Sequence, residues 1–328
     1  MEVGALRMGS IPELIMKPAI GIDLGGTRIK FLTFDLSSGE VLETLSEPTN
    51  DGKFVEDCPA WLDTIKARVA KWEQEWSQPA EAIGICAPGI ADQKSSCIIS
   101  LPGRLVGIEK LDWAKVLGRD DTVTILNDAH AALLGENWRG AALQKNNVLL
   151  LTLGTGVGGA AIVNGKLLTG HVGRGGHFGH MSLDPEGTPD CVGTPGSLED
   201  CIGECTLNER SQGRYQDTET LLKDHLNGDP VATEIFEKSV KALAAGICSL
   251  INILDPETIL LSGGITKAND NLLTPLKKEL EKIEWRPEGH QVQLRIAENQ
   301  EWAGAFGALY RSLEIYRYFE INKLTKNL

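Results

Sequence analysis

Ala19-Ile-Gly-Ile-Asp-Leu-Gly-Gly-Thr-Arg-Ile-Lys-Phe-Leu-Thr-Phe-Asp35 and Val148-Leu-Leu-Leu-Thr-Leu-Gly-Thr-Gly-Val-Gly-Gly-Ala-Ala-Ile-Val163 are built to one plan. Each is an apolar strand, a Gly/Thr turn and a second apolar strand, which predicts two β-hairpins. Glycine permits left-handed backbone in the turn, so successive amides are expected to aim at one point. A concave cluster of N–H groups is an anion site. Two such turns, facing each other across a cleft, would hold the phosphates of one nucleotide. Gly25 and Gly156 stand about 130 residues apart, one domain length, so the spacing reads as a duplicated domain and not a short-period solenoid. The plain alternative is two tight turns without a ligand; Asp23, just ahead of the first turn, weighs against it.

The chain has 328 residues, enough for two domains. Its hydrophobic fraction of 42% and charged fraction of 23% are those of a globular protein with a full core. A net charge of −13 disfavours nucleic-acid and anionic-membrane partners, which need a cationic face. It leaves room for ATP, because a local amide nest binds phosphate inside an acidic protein. No apolar run reaches the roughly 20 residues that span a bilayer. The first 18 residues lack the apolar core and cleavage site of a signal peptide and read as an N-terminal extension. Seven cysteines without an export signal point to reduced thiols and a cytoplasmic setting.

After the first hairpin, Val41–Leu45 reads as a strand, Trp61–Trp76 as a helix and Ala82–Gly89 as a buried strand closed by Pro-Gly. Val123–Leu126 is a short strand that delivers Asn127-Asp128, and a helix begins at Ala129. The second half repeats this order in outline. Gly165 to Gly203 is too irregular for regular elements and long enough to be functional. Val231–Ile253 is an amphipathic helix, Ile259–Leu261 a strand closed by Ser262-Gly263-Gly264, Val292–Ala297 a strand and Trp302–Leu313 a helix. The order implies an α/β fold: mixed sheets with helices on both faces, in domains 1–130 and 131–328 with a cleft between them. The last helix, about 302–318, is free by this pattern to cross back to the first domain.

Four stretches in order resemble a known family: Asp23-Leu-Gly-Gly-Thr27 with Lys30, Asn127-Asp128, Leu153-Gly-Thr-Gly-Val-Gly-Gly159, and Asp255-Pro-Glu-Thr-Ile-Leu-Leu-Ser-Gly-Gly264. Gly176-His-Phe-Gly-His-Met181 matches in part. The chain resembles sugar kinases of the ROK family (repressor, open reading frame, kinase), in the actin/hexokinase-like ATPase superfamily, over nearly its whole length beyond residue 18. The resemblance implies two actin/ribonuclease-H-like domains, ATP as phosphoryl donor, Mg²⁺, a sugar acceptor and a homodimer.

Asp128 is the candidate general base. A hydroxyl is a poor nucleophile at neutral pH, and a positioned carboxylate that takes its proton speeds transfer by about 10²–10⁴-fold. The alternative is an N-cap for the following helix. Asn127 can hydrogen-bond a neighbouring sugar hydroxyl. Asp23, between Ile22 and Leu24, is costly to bury without a partner, and Mg²⁺, directly or through water, is a natural one; a turn-capping Asp is the alternative. Gly25, Gly26, Gly154 and Gly156 form the amide turns, and Thr27 and Thr155 offer hydroxyls to phosphate. Lys30 reaches either a phosphate or Asp23. Gly263-Gly264 resembles the family's adenosine-side turn and can also start a helix.

Relatives carry Gly-Glu-x-Gly-His and then a Cys-x-Cys-Gly-x-x-Gly-Cys-x-Glu knuckle in which His and three Cys bind zinc. Here the Glu position is His177 and the His is His180, while the knuckle reads Asp190-Cys-Val-Gly-Thr-Pro-Gly-Ser-Leu-Glu199. The ligand cysteines become Asp190, Val192 and Ser197. Val192 cannot ligate, and tetrahedral zinc takes four donors, so the family zinc site is expected to be absent. The remaining option is a rebuilt site from His177, His180, Cys191, Cys201 or Cys205. By resemblance Glu199 accepts from sugar hydroxyls, with a first-turn helix Glu as the alternative. His177 brings a donor and an acceptor where relatives have a carboxylate, so its hydroxyl pattern differs from the common glucose pocket. His180 either bonds substrate or holds the loop through Glu199. Gly89 lies on the sugar side, and Arg104 stands where relatives place a sugar-binding Asn; it pairs with a local acid or meets an unusual substrate. The function implied is ATP-dependent phosphorylation of a sugar hydroxyl. The alternatives are a non-catalytic sugar or nucleotide sensor, or a ROK-type regulator without its DNA-binding domain, for which the 18 residues before Ala19 are too few.

Overall fold

The computed structural model describes residues 16–119 and 123–326. The first sheet contains β1 (Pro18–Leu24), β2 (Arg28–Asp35), β3 (Glu40–Pro48), β4 (Ala82–Ala87) and β5 (Thr124–Asn127), in the order β3-β2-β1-β4-β5. The second contains β6 (Val148–Leu153), β7 (Val157–Val163), β8 (Lys166–Leu167), β9 (Thr258–Ser262) and β10 (Gln293–Ile296), in the order β8-β7-β6-β9-β10. In both, the glycine hairpin is antiparallel and its first strand pairs in parallel with the strand that follows the crossover. The two orders are identical, so the repeat visible in the glycine turns extends to the topology.

Each sheet buries one face under its crossover helix. Trp61, Leu62, Ile65, Val69 and Trp72 recur at helical spacing along α1 (Ala60–Trp76) and pack with Ile20, Ile22, Ile83 and Ile85. In the second half, α4 (Pro230–Leu254) and α5 (Asp270–Ile283) do the same over Leu149, Leu151, Ile259 and Leu261. The start of α4 is set by Pro230 in its first turn and by the Asp229 carboxylate, which accepts from Val231 N (3.0 Å) and Ala232 N (2.8 Å).

The opposite faces join the halves. The helix after β5, α2 (Asp128–Arg139), and the helix after β10, α6 (Ala303–Lys326), lie against each other. Glycine makes the approach possible. Gly21 and Gly84 are neighbours in register, and a Cβ on either would lie 2.2 Å from Ala305 O or 1.9 Å from Ala308 O. A Cβ on Gly307 would lie 1.7 Å from Ala131 O. The last helix therefore crosses back onto the first sheet, while α2 runs against the second, where Gly158 faces Ala129. Leu126, Ala131, Leu134, Val148, Leu150, Leu260 and Ala308 form a core common to both halves. The fully buried Glu136 near the end of α2 accepts from Ala141 N (2.8 Å), Glu298 N (3.0 Å) and Asn299 N (2.6 Å). It thereby ties α2 to the segment that launches α6.

Three expectations change. The helix expected at Ala129 starts at Asp128, and its cap is Asn127, not Asp128: Asn127 Oδ1 accepts from Ala129 N (3.0 Å) and His130 N (3.1 Å). The last helix runs on to Lys326 rather than ending near 318. The stretch from Gly165 to Gly203 holds regular elements after all, β8 and α3 (Leu198–Ile202), the latter capped by Ser197 Oγ, which accepts from Asp200 N (3.2 Å). Most of the N-terminal extension lies outside the described residues.

Candidate active site

The first glycine turn is held from outside its own hairpin. Thr49, at the end of β3, donates its hydroxyl to Gly25 O (2.6 Å) and its N–H to Thr27 O (2.9 Å). Thr27 is exposed at the tip of this turn, and Thr155 at the tip of the other. The expectation of left-handed glycines fails here. None of Gly25, Gly26, Gly154 and Gly156 is in that region of the backbone map. Space is what glycine supplies at three of them: a Cβ on Gly25 would lie 2.9 Å from Arg28 O, one on Gly26 1.8 Å from Arg104 Nη2, and one on Gly156 2.4 Å from Glu199 Oε2.

Asp23 ends β1 beneath this turn, opposite Lys30 in register. Its partners are weak, Lys30 Nζ at 3.4 Å and the Cys86 thiol at 3.6 Å. Burial pushes its carboxyl above the ordinary range; Lys30 works against that rise and Asp128 adds to it. A carboxyl so placed fits a divalent cation with oxygen ligands, the strong partner it lacks. Lys30 is thus drawn to Asp23.

Asp128 opens α2 between the sheets and is exposed. Its Oδ1 accepts from Ala129 N (2.9 Å) and Asn127 Nδ2 (3.0 Å), and Oδ2 carries neither bond. Asn127 Nδ2 also donates to Gly89 O (3.0 Å). Asn127 thus has both amide hydrogens and its oxygen committed to the protein. Gly89 itself sits at φ +97°, where a side chain would also meet Ser100 O at 2.6 Å. Across the cleft His177 lies close enough for Asp128 to act on its ring. Burial pushes the His177 pKa down despite Asp128, and its buried Nε2 has no hydrogen-bond partner among the described residues.

The loop bearing His177 crosses β7: a Cβ on Gly179 would lie 1.8 Å from Val157 O, and one on Gly159 would lie 2.7 Å from Gly176 O. Glu199, in the first turn of α3, reaches the second glycine turn and accepts from Val157 N (2.8 Å), leaving Oε1, among the described residues, with only the Cys191 thiol at 3.6 Å. Glu204 N to Gly154 O (3.0 Å) and Cys205 N to Thr155 O (2.8 Å) brace the same turn. Gly263 packs under Leu153, where a Cβ would lie 2.3 Å from the carbonyl, and Gly264 begins a 3₁₀ turn beside Gly154. His180 Nδ1 is bonded to Asp190 Oδ2 (2.8 Å). Of the five residues considered for a rebuilt metal site, His180 and Cys191 come together, with Glu199 as a third donor, all within 4.8 Å of one another. Asp190 is turned to His180, and Ser197 caps α3. Among the described residues this is three donors, one short of a tetrahedral set.

Sequence reading missed Thr49, Cys86 and His130. The first two come from separate strands with no spacing signal. His130 lies two residues beyond Asp128 and could have been flagged on that ground. It is buried, with Nε2 2.7 Å from Gly175 O, so it supports the His177 loop from below. Burial, partly offset by that hydrogen bond, pushes its pKa down to about 4 from 6.5. Above pH 6.5 the ring is neutral folded or unfolded. Below it the unfolded chain gains a proton that the folded chain refuses, so stability falls as pH drops from 6.5 toward 4, by ~3 kcal/mol in the limit. Urea midpoints of the wild type and His130→Gln between pH 7 and pH 4.5 measure this: the wild type is expected to lose more. Parallel losses would remove His130 as the cause.

The chain matches the ROK family over residues 19–314. It is 30% identical over 311 residues to a glucokinase of Halalkalibacterium halodurans, covering 88% of this chain and 92% of that protein. A crystal structure of a ROK hexokinase from Thermus thermophilus is similar with a TM-score of 0.74 and 28% identity, over 93% of this chain and 99% of the other. A ROK glucokinase from Streptomyces griseus in complex with glucose and AMPPNP is similar with a TM-score of 0.72 and 26% identity, over 90% and 99%.

Proposed function

The chain belongs to the ROK family, and from that premise we propose that it is a sugar kinase in which ATP phosphorylates a hydroxyl of a monosaccharide or sugar derivative and Asp128 is the general base. One observation carries the assignment. The Asp128 carboxylate stands exposed between the sheets, within electrostatic reach of Asp23 from the first half and His177 from the second. With Oδ1 held by Ala129 N and Asn127 Nδ2, Oδ2 is the atom that takes the proton. The sugar oxygen then bonds to the γ-phosphorus as the bond from that phosphorus to the β-phosphate oxygen breaks, and ADP leaves with the electron pair.

Asn127 is a positioning residue on this reading, since its own hydrogen bonds are used on Gly89, Asp128 and the helix start. Glu199 Oε1 has capacity left for sugar hydroxyls, and a sugar at His177 would have to uncover its Nε2, which is unpartnered among the described residues but buried. His177 is neutral at pH 7 and offers a donor or an acceptor according to tautomer. His180, fastened to Asp190, completes that wall with Nε2. Both turns, with Gly263-Gly264 beside the second, make up the nucleotide side. Asp23 would hold Mg²⁺, directly or through water, which when bound neutralises phosphate charge. Seven free thiols suit a cytoplasmic setting.

Coupled measurement of ADP release over a panel of sugars, aminosugars and glycosides tests the reading. Sugar-dependent turnover with at least one is expected. Tight ATP binding with no turnover on any of them would favour a non-catalytic sensor.

A further inference from the structure

We propose that Arg104 binds the terminal phosphoryl group of ATP, and does so instead of reading the sugar; the proposal rests on the kinase reading above. Arg104 stands in a loop expected on the sugar side. Its guanidinium lies instead on the first glycine turn, close enough that a Cβ on Gly26 would meet Nη2 at 1.8 Å. The side chain is exposed, and no carboxylate pairs with it among the described residues. The other cations at this turn have partners: Lys30 leans on Asp23, and Arg28 donates to Ser46 Oγ (2.6 Å) and Ser46 O (2.8 Å). An exposed guanidinium with no carboxylate partner among the described residues, lying on a glycine turn, suits an anion that arrives there.

The loop is fixed with some effort, which distinguishes Arg104 from an ordinary surface arginine. The next residue, Leu105, is fully buried in the first core yet has φ +46°, a left-handed conformation disfavoured for any residue with a Cβ. Its N–H donates to both Asp51 carboxylate oxygens, at 3.0 and 3.2 Å, and its carbonyl accepts from Ile108 N at 3.0 Å. Leu101 N donates to Glu109 Oε1 at 2.6 Å. Asp51 is two residues from Thr49, which grips Gly25 and Thr27. One short segment therefore clamps the glycine turn and the arginine loop to each other, and the guanidinium is set over the turn before any ligand binds. Its planar fork suits two phosphoryl oxygens, which the point charge of lysine matches less well.

Calorimetric titration of ADP and of AMPPNP into the wild type, Arg104→Ala and Arg104→Lys tests this, with thermal midpoints verifying that the variants fold. Arg104→Ala is expected to weaken AMPPNP by roughly 10-fold or more and to leave ADP unchanged, with Arg104→Lys in between. Steady-state kinetics on a sugar that the wild type accepts should then show a fall in kcat with the sugar KM preserved. Equal effects on both nucleotides, or none on either, overturn the proposal. So does a raised sugar KM with AMPPNP affinity intact, which makes Arg104 a sugar contact and leaves the kinase reading standing. A wild type that binds neither nucleotide overturns the kinase reading itself, and the proposal falls with it.

Discussion

Asp128→Asn is expected to lower kcat by about 10²–10⁴-fold while nucleotide affinity and the unfolding midpoint stay near wild type. Asparagine keeps the oxygen that accepts from Ala129 N and Asn127 Nδ2, so the start of α2 survives the change. The Oδ2 position becomes an amide nitrogen, which cannot take a proton from an attacking hydroxyl. If Asp128 served chiefly as a helix-start residue, the variant would retain most of its turnover, because the cap is Asn127. Initial rates at saturating ATP and sugar, beside ADP titration of the same preparation, decide between the two. Retention of more than about a tenth of wild-type kcat would remove Asp128 from the role of base.

Glu136→Ala should cost ~4 kcal/mol of unfolding free energy, read from urea denaturation. Three backbone N–H groups lose their acceptor at once, those of Ala141, Glu298 and Asn299, around a carboxylate that is itself fully buried. Each buried donor left without a partner costs about 1–3 kcal/mol, and entering water recovers part of the sum. Glu136→Gln keeps one oxygen but turns an amide against an N–H group, so a smaller loss of ~2 kcal/mol is expected. A loss below about 1 kcal/mol for Glu136→Ala would mean that those amides find other acceptors. The site should feel this loss too, since the α2 helix that Glu136 anchors begins with Asp128.

Much of the architecture was legible because it rests on local patterns. Apolar strands around Gly/Thr turns and helical spacing from Trp61 to Trp72 each declare themselves within a few residues. The candidate residues were legible in the same way, as Asp23 and Asp128 stand at strand ends where chemistry is accessible. What stayed hidden depends on distant partners. Glycines in the two turns suggested left-handed backbone, whereas at Gly26 and Gly156 the missing side chain makes room for Arg104 and Glu199, which lie 78 and 43 residues away. Asn127 looked like a sugar ligand until Gly89 and the helix start used its donors and acceptor.

The sequence by itself determined the duplicated hairpins, the acidic and globular character, and the residue types available for phosphoryl transfer. These follow from short-range periodicity and turn chemistry, which need no knowledge of what lies across the molecule. Only the tertiary structure decided that α6 returns to the first sheet, that Thr49 and Asp51 clamp a turn to an arginine loop, and that His130 props the loop of His177. Each of these is a contact between segments far apart in the chain. Such contacts are selected by steric fit, a missing Cβ at Gly21, Gly84 or Gly307, and by buried polar groups that must find partners wherever the fold brings them.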